Sequence, residues 1–364
     1  MRHLRIFVAV AVCGLAAVFT NGVSAQAATP KPRIGVFYYP GWKDGALGLE
    51  RAKPWLPIRQ FPDREPLLGW YDEGEVEVME KQLEWMSSYG LDYVVFDWYW
   101  GGEREVLGHA LRAYFKSTGK AKVPYALMWA NHGAGPKSEQ DFFAMVADLT
   151  AHHFSRPEYL KINGRPLVFI QVPDNLDARA QELGGNTRDL ISRAQAFVKQ
   201  AGYPGMLLLA GAGGGPGAVT KNAKTWGYEA YFTYNYHGGL GGRTRGEARY
   251  SRSYQELDDA YREHWDWFMA KGDLPYVIPM TAGWDKRPWG GSQDPLHDQS
   301  QPTAAQFTRH LARARELIAA NPDKTLGMGI LCCWNEFGEG SIVEPTKANR
   351  FSRLESVKAV FGRR

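Results

Sequence analysis

Cysteine is scarce in this sequence: only three occur among its 364 residues, at Cys13, Cys332 and Cys333. This number excludes a small scaffold held together by several disulfides. Cys332 and Cys333 are adjacent, so on a strand their side chains point to opposite faces, which favours two separate buried thiols. A vicinal disulfide in an oxidising compartment is the alternative. A metal site is disfavoured, because no other cysteine or HxxxH-type pair accompanies them.

The sequence also lacks an excess of charge of one sign. It contains 43 Lys and Arg against 39 Asp and Glu, which gives a formal net charge of +4. Proteins that bind nucleic acid or acidic membranes usually carry a pronounced basic excess. We therefore expect no nucleic-acid partner.

Long apolar runs are absent beyond the first residues. Arg2 and Arg5 precede an uncharged apolar run over residues 6–19, and small residues follow it. This order is typical of a secretory signal peptide, and the run is too short for a stable bilayer anchor. We expect a signal peptide over residues 1–27, cleaved after Ala25 or Ala27, and an exported protein, periplasmic or extracellular, without stable membrane insertion.

Aromatic residues, by contrast, are abundant: they make up 13% of the chain, and 13 of them are tryptophan. Aromatic rings are the usual surface for stacking on sugar rings, so the composition hints at a carbohydrate ligand. Large barrels also bury many aromatic residues in their cores. Composition alone leaves both interpretations open.

The chain alternates between short apolar runs and amphipathic stretches. The apolar runs predict strands over residues 33–39, 92–98, 124–129, 166–171, 206–210, 230–234, 276–281 and 328–334. The amphipathic stretches predict helices over residues 75–89, 105–116, 140–153, 187–201, 254–270 and 303–319, with weaker ones over 219–225 and 354–360.

Eight strands alternating with helices predict an α/β fold, a (β/α)8 TIM barrel that occupies residues 28–364 as a single domain. An open doubly wound sheet is the alternative, but it would need a glycine-rich phosphate turn after the first strand, where the sequence is Pro-Gly-Trp. Long loops over residues 40–74, 236–253 and 283–301 all follow strands. They therefore lie on the face where barrel active sites form.

Polar and aromatic residues cluster where the predicted strands end, which a packed core does not explain. We expect a site for substrate there. Its predicted substrate-binding residues are Tyr38, Tyr39, Trp42, Asp97, Trp98, Trp129, Asn131, His132, Tyr234, Tyr236, His237, Trp284, Asp285, Trp334 and Asn335.

Glu336 and Glu339, directly after the last strand, are the predicted catalytic residues. Hydrolysis of a glycosidic bond generally needs two carboxyl groups, one to protonate the leaving oxygen and one to assist at the anomeric carbon. Nearby carboxyls also push their pKa values apart, so one can serve as acid and the other as base. The alternative is that both glutamates cap a helix or lie in solvent. Asp97 is a candidate third carboxyl, or a residue that binds loop amides.

The sequence WNEFGEG at residues 334–340, followed by Glu344-Pro345, resembles the WNEWxEG…EP segment of glycoside hydrolase family 99 and its WbsX-type relatives. Four further segments agree with this family in order: FYYPGW at 37–42, GWYD at 69–72, MWAN at 128–131 and GWD at 283–285. The resemblance spans roughly residues 33–350.

The resemblance implies an endo-acting, retaining α-mannosidase on a barrel, without a metal or other cofactor. Glu336 would assist the substrate's 2-hydroxyl in its attack on the anomeric carbon, and Glu339 would be the acid/base for the leaving oxygen. The chain departs from the family at Phe337, usually Trp, and at Gly338, often His. Both departures leave the carboxyl pair intact but bear on the sugar specificity.

Together these features predict an exported glycoside hydrolase with a carbohydrate substrate and an undetermined oligomeric state. Two other functions stay open. A non-catalytic glycan-binding barrel would not need both glutamates. WbsX-type relatives have been called glycosyltransferases, but nucleotide-sugar donors are cytosolic, which a signal peptide disfavours.

Overall fold

The computed structural model describes residues 31–48, 52–133, 136–240 and 250–362. The predicted signal peptide lies outside these residues. From residue 31 onward the chain forms one compact unit. Its described helices are too short or too polar to cross a membrane.

Eight parallel strands form the central sheet of the described residues, and each contains the core of a predicted strand. Their bounds are Arg33–Tyr38 (β1), Tyr93–Trp100 (β2), Tyr125–Trp129 (β3), Arg165–Ile170 (β4), Leu207–Gly211 (β5), Ala230–Phe232 (β6), Ile278–Thr281 (β7) and Met328–Cys332 (β8). The order across the sheet is β6-β5-β4-β3-β2-β1-β8-β7.

First and last strands are neighbours: Gly35 of β1 pairs with Ile330 of β8. Between β6 and β7 the sheet is joined by a parallel bridge of Tyr231 and Tyr276, where the amide of Val277 donates to the Tyr231 carbonyl at 2.9 Å. A parallel sheet joined in this way is the predicted barrel, which is thereby confirmed.

Helices cover the outside of the barrel. The longer ones are Val76–Tyr89 (α1), His109–Lys116 (α2), Glu139–Asp148 (α3), Pro173–Glu182 (α4), Thr187–Gln200 (α5), Tyr254–Lys271 (α6), Ala304–Ala320 (α7) and Ser352–Phe361 (α8). Shorter helical segments are Trp55–Ile58, Pro62–Arg64, Gly119–Lys122, Leu149–Phe154, Pro216–Val219, Ala223–Trp226, Arg287–Trp289, His297–Gln299 and Pro322–Thr325. Side-chain caps fix several starts, such as the reciprocal Thr303–Gln306 capping box of α7.

Two helix predictions need correction, and one helix is absent from the prediction. The weak helix predicted over 219–225 is split into two short segments, Pro216–Val219 and Ala223–Trp226. The predicted helix over 105–116 begins only at His109, because Glu105–Val106 pairs antiparallel with Tyr99 and Trp100 at the end of β2. Helix α4, which begins at Pro173 and is poor in apolar residues, is not among the predicted helices. Its amphipathic signal is weak because only three of its ten residues are buried.

Alternation along the strands divides the core into two layers. Side chains at Phe37, Val95 and Phe232 point into the barrel, where they form an interior cluster. Those at Tyr38 and Trp98 point outward and pack between the sheet and the helices. This period of two decides which residues at the strand ends reach the central opening.

Candidate active site

A cleft of about 610 Å³ opens at the carboxyl ends of the barrel strands, and we call it the central cleft. Eight of the predicted site residues line it. They are Tyr39, Asp97, His132, Tyr234, His237, Trp284, Glu336 and Glu339. The described residues therefore bring both predicted catalytic glutamates into one cavity with aromatic and polar side chains.

A tight hairpin after β8 carries the two glutamates. Glu336 pairs antiparallel with Ser341, so the turn between them has four residues. The amide of Glu339 donates to the Glu336 carbonyl at 3.1 Å, and the Glu339 carbonyl accepts the amide of Asp285 at 2.7 Å. Backbone bonds thus fix both ends of the E-x-x-E motif. Glu336 is 4% exposed, whereas Glu339 is half-buried.

The hydroxyl of Tyr234 lies between two carboxyl groups. It is 2.7 Å from Oε1 of Glu336 and 3.0 Å from Oδ2 of Asp97. These residues come from the ends of β6, β8 and β2, so only closure of the barrel brings them together. Tyr234 and Asp97 continue the inward-facing alternation of Phe232 and Val95.

Burial raises the pKa values of two carboxyl groups in the central cleft. The pKa of Glu339 rises to about 7, and the charge of Lys286 and a 3.5 Å hydrogen bond from Asn235 offset part of that rise. The pKa of Asp97 lies well above its ordinary value because of burial, with a further increase from the charge of Glu339. Desolvation disfavours the charged form of a carboxyl group, so burial shifts both groups toward the protonated form.

Nine predicted site residues lie away from the central cleft. Tyr38, Trp98 and Trp129 are on the outward-facing register of their strands and are buried against the helices. The outward direction explains why their position at a strand end was misleading. The side chains of Tyr38 and Trp98 are instead hydrogen-bonded to Gln82 and Glu105.

The other predicted residues outside the central cleft pack against or bond to neighbouring segments of the chain. The side chain of Asn335 forms two hydrogen bonds of 2.9 Å with the backbone of Tyr39. The backbone carbonyl of Asn335 accepts the indole N–H of Trp42 at 2.8 Å. Trp334 is fully buried. Because these contacts tie the end of β1 to the end of β8, they shape the cleft without lining it.

Three further predicted residues are similarly engaged. Asn131 bonds the backbone of Val172 in both directions at 2.8 Å. The ring of Tyr236 stacks on His264 with centroids 3.6 Å apart. Asp285 forms a buried ion pair with Arg64. All three are buried, which accounts for their polar or aromatic character without a ligand.

Several residues that line the central cleft are not among the predicted site residues. They are Leu47, Tyr99, Leu107, Gln171, Val172, Pro173, Asp174, Asn235, Trp289, Val219 and Ala218, together with glycines 211 and 213–215. Strand alternation would have found three of them, because Tyr99, Gln171 and Gly211 continue the inward-facing register of β2, β4 and β5. Trp289 comes from a loop and carried no such signal.

Trp289 explains one departure from the family motif. A Cβ atom at Gly338 would lie 2.0 Å from the Trp289 ring, so the ring packs directly on the hairpin backbone. Trp289 also contacts Tyr39 edge-on, with centroids 6.0 Å apart. A larger residue at position 338 is incompatible with this arrangement, because 2.0 Å is far below a carbon–carbon contact distance.

The sulfur atoms of Cys332 and Cys333 are bonded to each other, across a cis peptide. The favoured prediction of two separate thiols is therefore wrong, and the alternative is observed. Strand β8 ends at Cys332, so the rule that neighbouring side chains point to opposite faces does not extend to Cys333. Both residues are buried in the barrel interior.

In the described part of the chain, no group of three or more His, Cys, Asp or Glu side chains is arranged to hold a metal ion.

Comparisons with known proteins identify relatives of the chain. A family model described as Glycosyltransferase WbsX matches residues 47–357. The uncharacterized protein WxcX of Xanthomonas campestris pv. campestris (strain B100) is 22% identical over 337 residues, which cover 86% of this chain and 46% of WxcX. The chain thus spans about half the length of the curated relatives it matches.

Two solved structures share the fold. A GH99 endo-alpha-mannosidase from Bacteroides thetaiotaomicron, in complex with Bis-Tris-propane, aligns with a TM-score of 0.61 at 13% identity, over 90% of this chain and 96% of that one. A glycoside hydrolase-like protein aligns with a TM-score of 0.62 at 14% identity, over 92% and 95%. At such identities the likeness is one of fold.

Proposed function

The chain belongs to the WbsX glycosyltransferase family, and we propose that it is an exported, retaining, endo-acting glycoside hydrolase. The observation that carries the proposal is the pair Glu336 and Glu339, held on one hairpin in a cleft where their surroundings differ. Two carboxyl groups in unlike environments are what acid/base cleavage of a glycosidic bond requires. The fold shared with GH99 endo-alpha-mannosidases supports α-mannosides as the first substrates to test.

In the proposed first step, Glu339 is the acid. Its pKa of about 7 keeps a large protonated fraction at neutral pH, so it can donate to the leaving oxygen as the C1–O bond breaks. Glu336, which accepts the Tyr234 hydrogen bond, takes the proton of the substrate's 2-hydroxyl while O2 bonds to C1.

The second step reverses these roles. Ionised Glu339 takes a proton from water, whose oxygen attacks C1. The bond between C1 and O2 breaks, and O2 recovers its proton from Glu336. Two inversions at C1 give net retention of configuration.

Charge in the central cleft favours neutral glycans over acidic ones. Its described lining includes four carboxyl groups, those of Asp97, Asp174, Glu336 and Glu339, and no Lys or Arg. A uronate or sulfate group would be repelled by the carboxylates of Asp174 and Glu336, and no Lys or Arg side chain in the described lining could pair with it. We therefore extend the proposal to neutral polysaccharides or glycans.

The description of the family favours glycosyl transfer as a second candidate. Transfer from a nucleotide sugar requires a site for a diphosphate, usually cations or a glycine-rich phosphate turn. The described cleft lining supplies no Lys or Arg. The glycine-rich segment 211–217 is not followed by the Gly-Lys-Ser/Thr sequence of a phosphate-binding loop. These features favour hydrolysis.

A substrate screen separates the two functions. The protein lacking residues 1–27 is incubated with neutral α-mannans, other neutral polysaccharides and acidic polysaccharides, and in parallel with nucleotide sugars plus acceptor glycans. We expect new reducing ends from a neutral polysaccharide, and none from the Glu336→Gln/Glu339→Gln double variant. Binding without cleavage would indicate a glycan-binding protein, and donor-dependent elongation would indicate a transferase.

A further inference from the structure

The hydrogen bonds around Tyr234 require one more hydrogen than its hydroxyl provides. Tyr234 lies within hydrogen-bond distance of Glu336, at 2.7 Å, and of Asp97, at 3.0 Å. A phenolic hydroxyl carries a single hydrogen, and an ionised carboxylate can only accept. If both carboxyl groups were ionised, one of the two short contacts would join two acceptors.

The shorter contact identifies the acceptor. Hydrogen bonds to ionised oxygens are shorter than neutral ones, and the 2.7 Å contact is to Glu336. The hydrogen in the longer contact must then come from Asp97, whose carboxyl group donates to the Tyr234 oxygen.

The surroundings of Asp97 agree with a neutral side chain. It is 5% exposed, and its Oδ1 is buried without a hydrogen-bond partner among the described residues. The titratable groups that face it are Tyr234, Glu336 and Glu339 from the ends of β6 and β8, and Tyr99 from its own strand. None supplies a positive charge, and burial raises the pKa of Asp97 well above its ordinary value. Burying an unpaired carboxylate costs far more than burying the neutral acid.

We propose that Asp97 is a protonated positioning residue, whose carboxylic acid donates to Tyr234 so that Tyr234 donates to Glu336. The chain of donors runs Asp97 to Tyr234 to Glu336 and ends on a carboxylate. This inference rests on the proposed function, in which Glu336 is the base. Asp97 would thereby hold Glu336 ionised and oriented toward the substrate, without contacting the reacting atoms itself.

Infrared spectroscopy tests the proton on Asp97 without a substrate. The spectrum of Asp97→Asn is subtracted from that of wild type at about pH 6, where an ordinary Asp is ionised. We expect the difference to contain the C=O band of a protonated carboxylic acid. Asp174→Asn, which changes an exposed Asp of the same cleft, is the control, and its difference spectrum should lack that band. A difference spectrum for Asp97 that contains only carboxylate bands would overturn the proposal.

A second measurement uses the unmodified sequence, in case Asp97→Asn does not fold. Wild-type protein with ¹³C in its Asp carboxyl carbons is titrated by NMR from about pH 2.5 to pH 8, a range that begins below the ordinary Asp pKa of about 3.9. One resonance should keep the shift of a protonated carboxyl at neutral pH. If every Asp titrates near its ordinary pKa, the proposal fails.

Kinetics on a substrate from the screen test the positioning role. Asp97→Asn keeps a neutral side chain that can donate to Tyr234, whereas Asp97→Leu removes the donor. We expect the Leu variant to have a kcat about 10-fold below that of the Asn variant, the factor that corresponds to one hydrogen bond, with a smaller change in KM. Equal kcat values would contradict the positioning role. If no substrate is cleaved, the proposed function fails, while the spectra still decide the proton on Asp97.

Discussion

At the scale of single residues, Glu336 and Glu339 differ in their surroundings although only two residues separate them. Glu336 accepts a hydrogen bond from Tyr234, while Glu339 receives a long 3.5 Å bond from Asn235 and has its pKa raised by burial. A carboxyl group that keeps its proton suits an acid, and one that accepts a strong hydrogen bond suits a base. Their roles in the proposed reaction follow from this difference.

Replacing Glu339 with Gln should lower kcat by about 10²–10⁴-fold on substrates with poor leaving groups, the usual contribution of general acid/base catalysis. The loss should be much smaller on an activated aryl glycoside, which needs little protonation to leave. Steady-state kinetics on both substrates measure this difference. Circular dichroism checks that the variant is folded.

Equal losses on both substrates would contradict the assignment of Glu339 as the acid. The pH profile gives an independent check. Activity that needs protonated Glu339 should fall as the pH rises through about 7, and Glu339→Gln should lack that limb of the profile.

Trp284 is the tryptophan that we expect to stack on a sugar ring. It lines the central cleft and contacts His237 edge-on, with centroids 4.2 Å apart. Trp284→Ala should therefore weaken binding by about 10-fold, which corresponds to a loss of about 1.4 kcal/mol of binding free energy. Isothermal titration with an oligosaccharide substrate on the Glu339→Gln background measures it.

Trp129 provides the matched control, because the sequence predicts it as a second platform and the structure places it outside the central cleft. The milder substitution Trp129→Phe should leave the affinity nearly unchanged. Normal affinity in Trp284→Ala would place the sugar platform elsewhere.

At the scale of elements, the long loop after β1 supports the catalytic hairpin. Arg64 donates to the Phe337 carbonyl at 2.7 Å and pairs with Asp285, while Trp42 contacts the Phe337 ring edge-on at 5.4 Å. The length of this loop predicts a role in the active site. Its aromatic and charged residues pack against the catalytic hairpin and stabilise it. Phe337 and Gly338 are therefore part of the packing of this hairpin.

Gly338→Ala should displace either Trp289 or the hairpin, because the new Cβ would lie 2.0 Å from the ring. Overpacking of this kind typically costs 1–3 kcal/mol of stability, on the order of a few degrees in Tm. Activity should fall as well, since both catalytic glutamates move with the hairpin. Gly217→Ala is the control, because a Cβ there meets no atom within 4 Å. Similar Tm and kcat in both variants would show that Trp289 does not constrain the hairpin.

A buried polar cluster connects the hairpin to α1 through Glu344. Its carboxyl accepts hydrogen bonds from Tyr71 at 2.7 Å and Gln82 at 3.2 Å, and burial raises its pKa from 4.5 to about 8. Because the folded state binds this proton more tightly than the unfolded state, the resulting stability is complete below about pH 4.5. It is lost as the pH rises through about 8.

Glu344→Gln should therefore flatten the decline of Tm between about pH 5 and pH 8, since the neutral amide has no proton to lose. Thermal unfolding at a series of pH values measures it. Glu355→Gln, at an exposed position on α8, should keep the wild-type dependence. Parallel curves for wild type and Glu344→Gln would show that Glu344 is ionised in the folded protein throughout.

At the scale of the whole molecule, export is a prediction that the fold does not test. We expect cleavage after Ala25 or Ala27, because a charged start, an apolar run and small residues occur in order. N-terminal sequencing of protein recovered from the periplasm or medium of its native host measures this. Recovery of the chain with Met1 intact in the cytosol would refute it.

The central cleft exists only because the barrel is assembled. Tyr39, Tyr234 and Glu336 follow three different strands, and Asp97 lies in β2, 137 residues from Tyr234. Strand order, which places β1 between β2 and β8, gathers their ends around one opening. Sequence position shows that each residue ends a strand, which is why the general location of the site could be predicted.

The set of strands, the barrel and the glutamate pair after the last strand could be predicted from the sequence alone. These follow from local patterns: apolar runs of strand length, their alternation with helices, and the E-x-x-E motif. Strand alternation would also have separated inward Asp97 from outward Trp98. The sequence could not indicate the link between Tyr234 and Asp97, the contact of Trp289 with Gly338, or the structural role of Asn335. Each joins segments far apart in the chain, and their contacts depend on closure of the barrel and packing of its long loops, which only the tertiary structure decides.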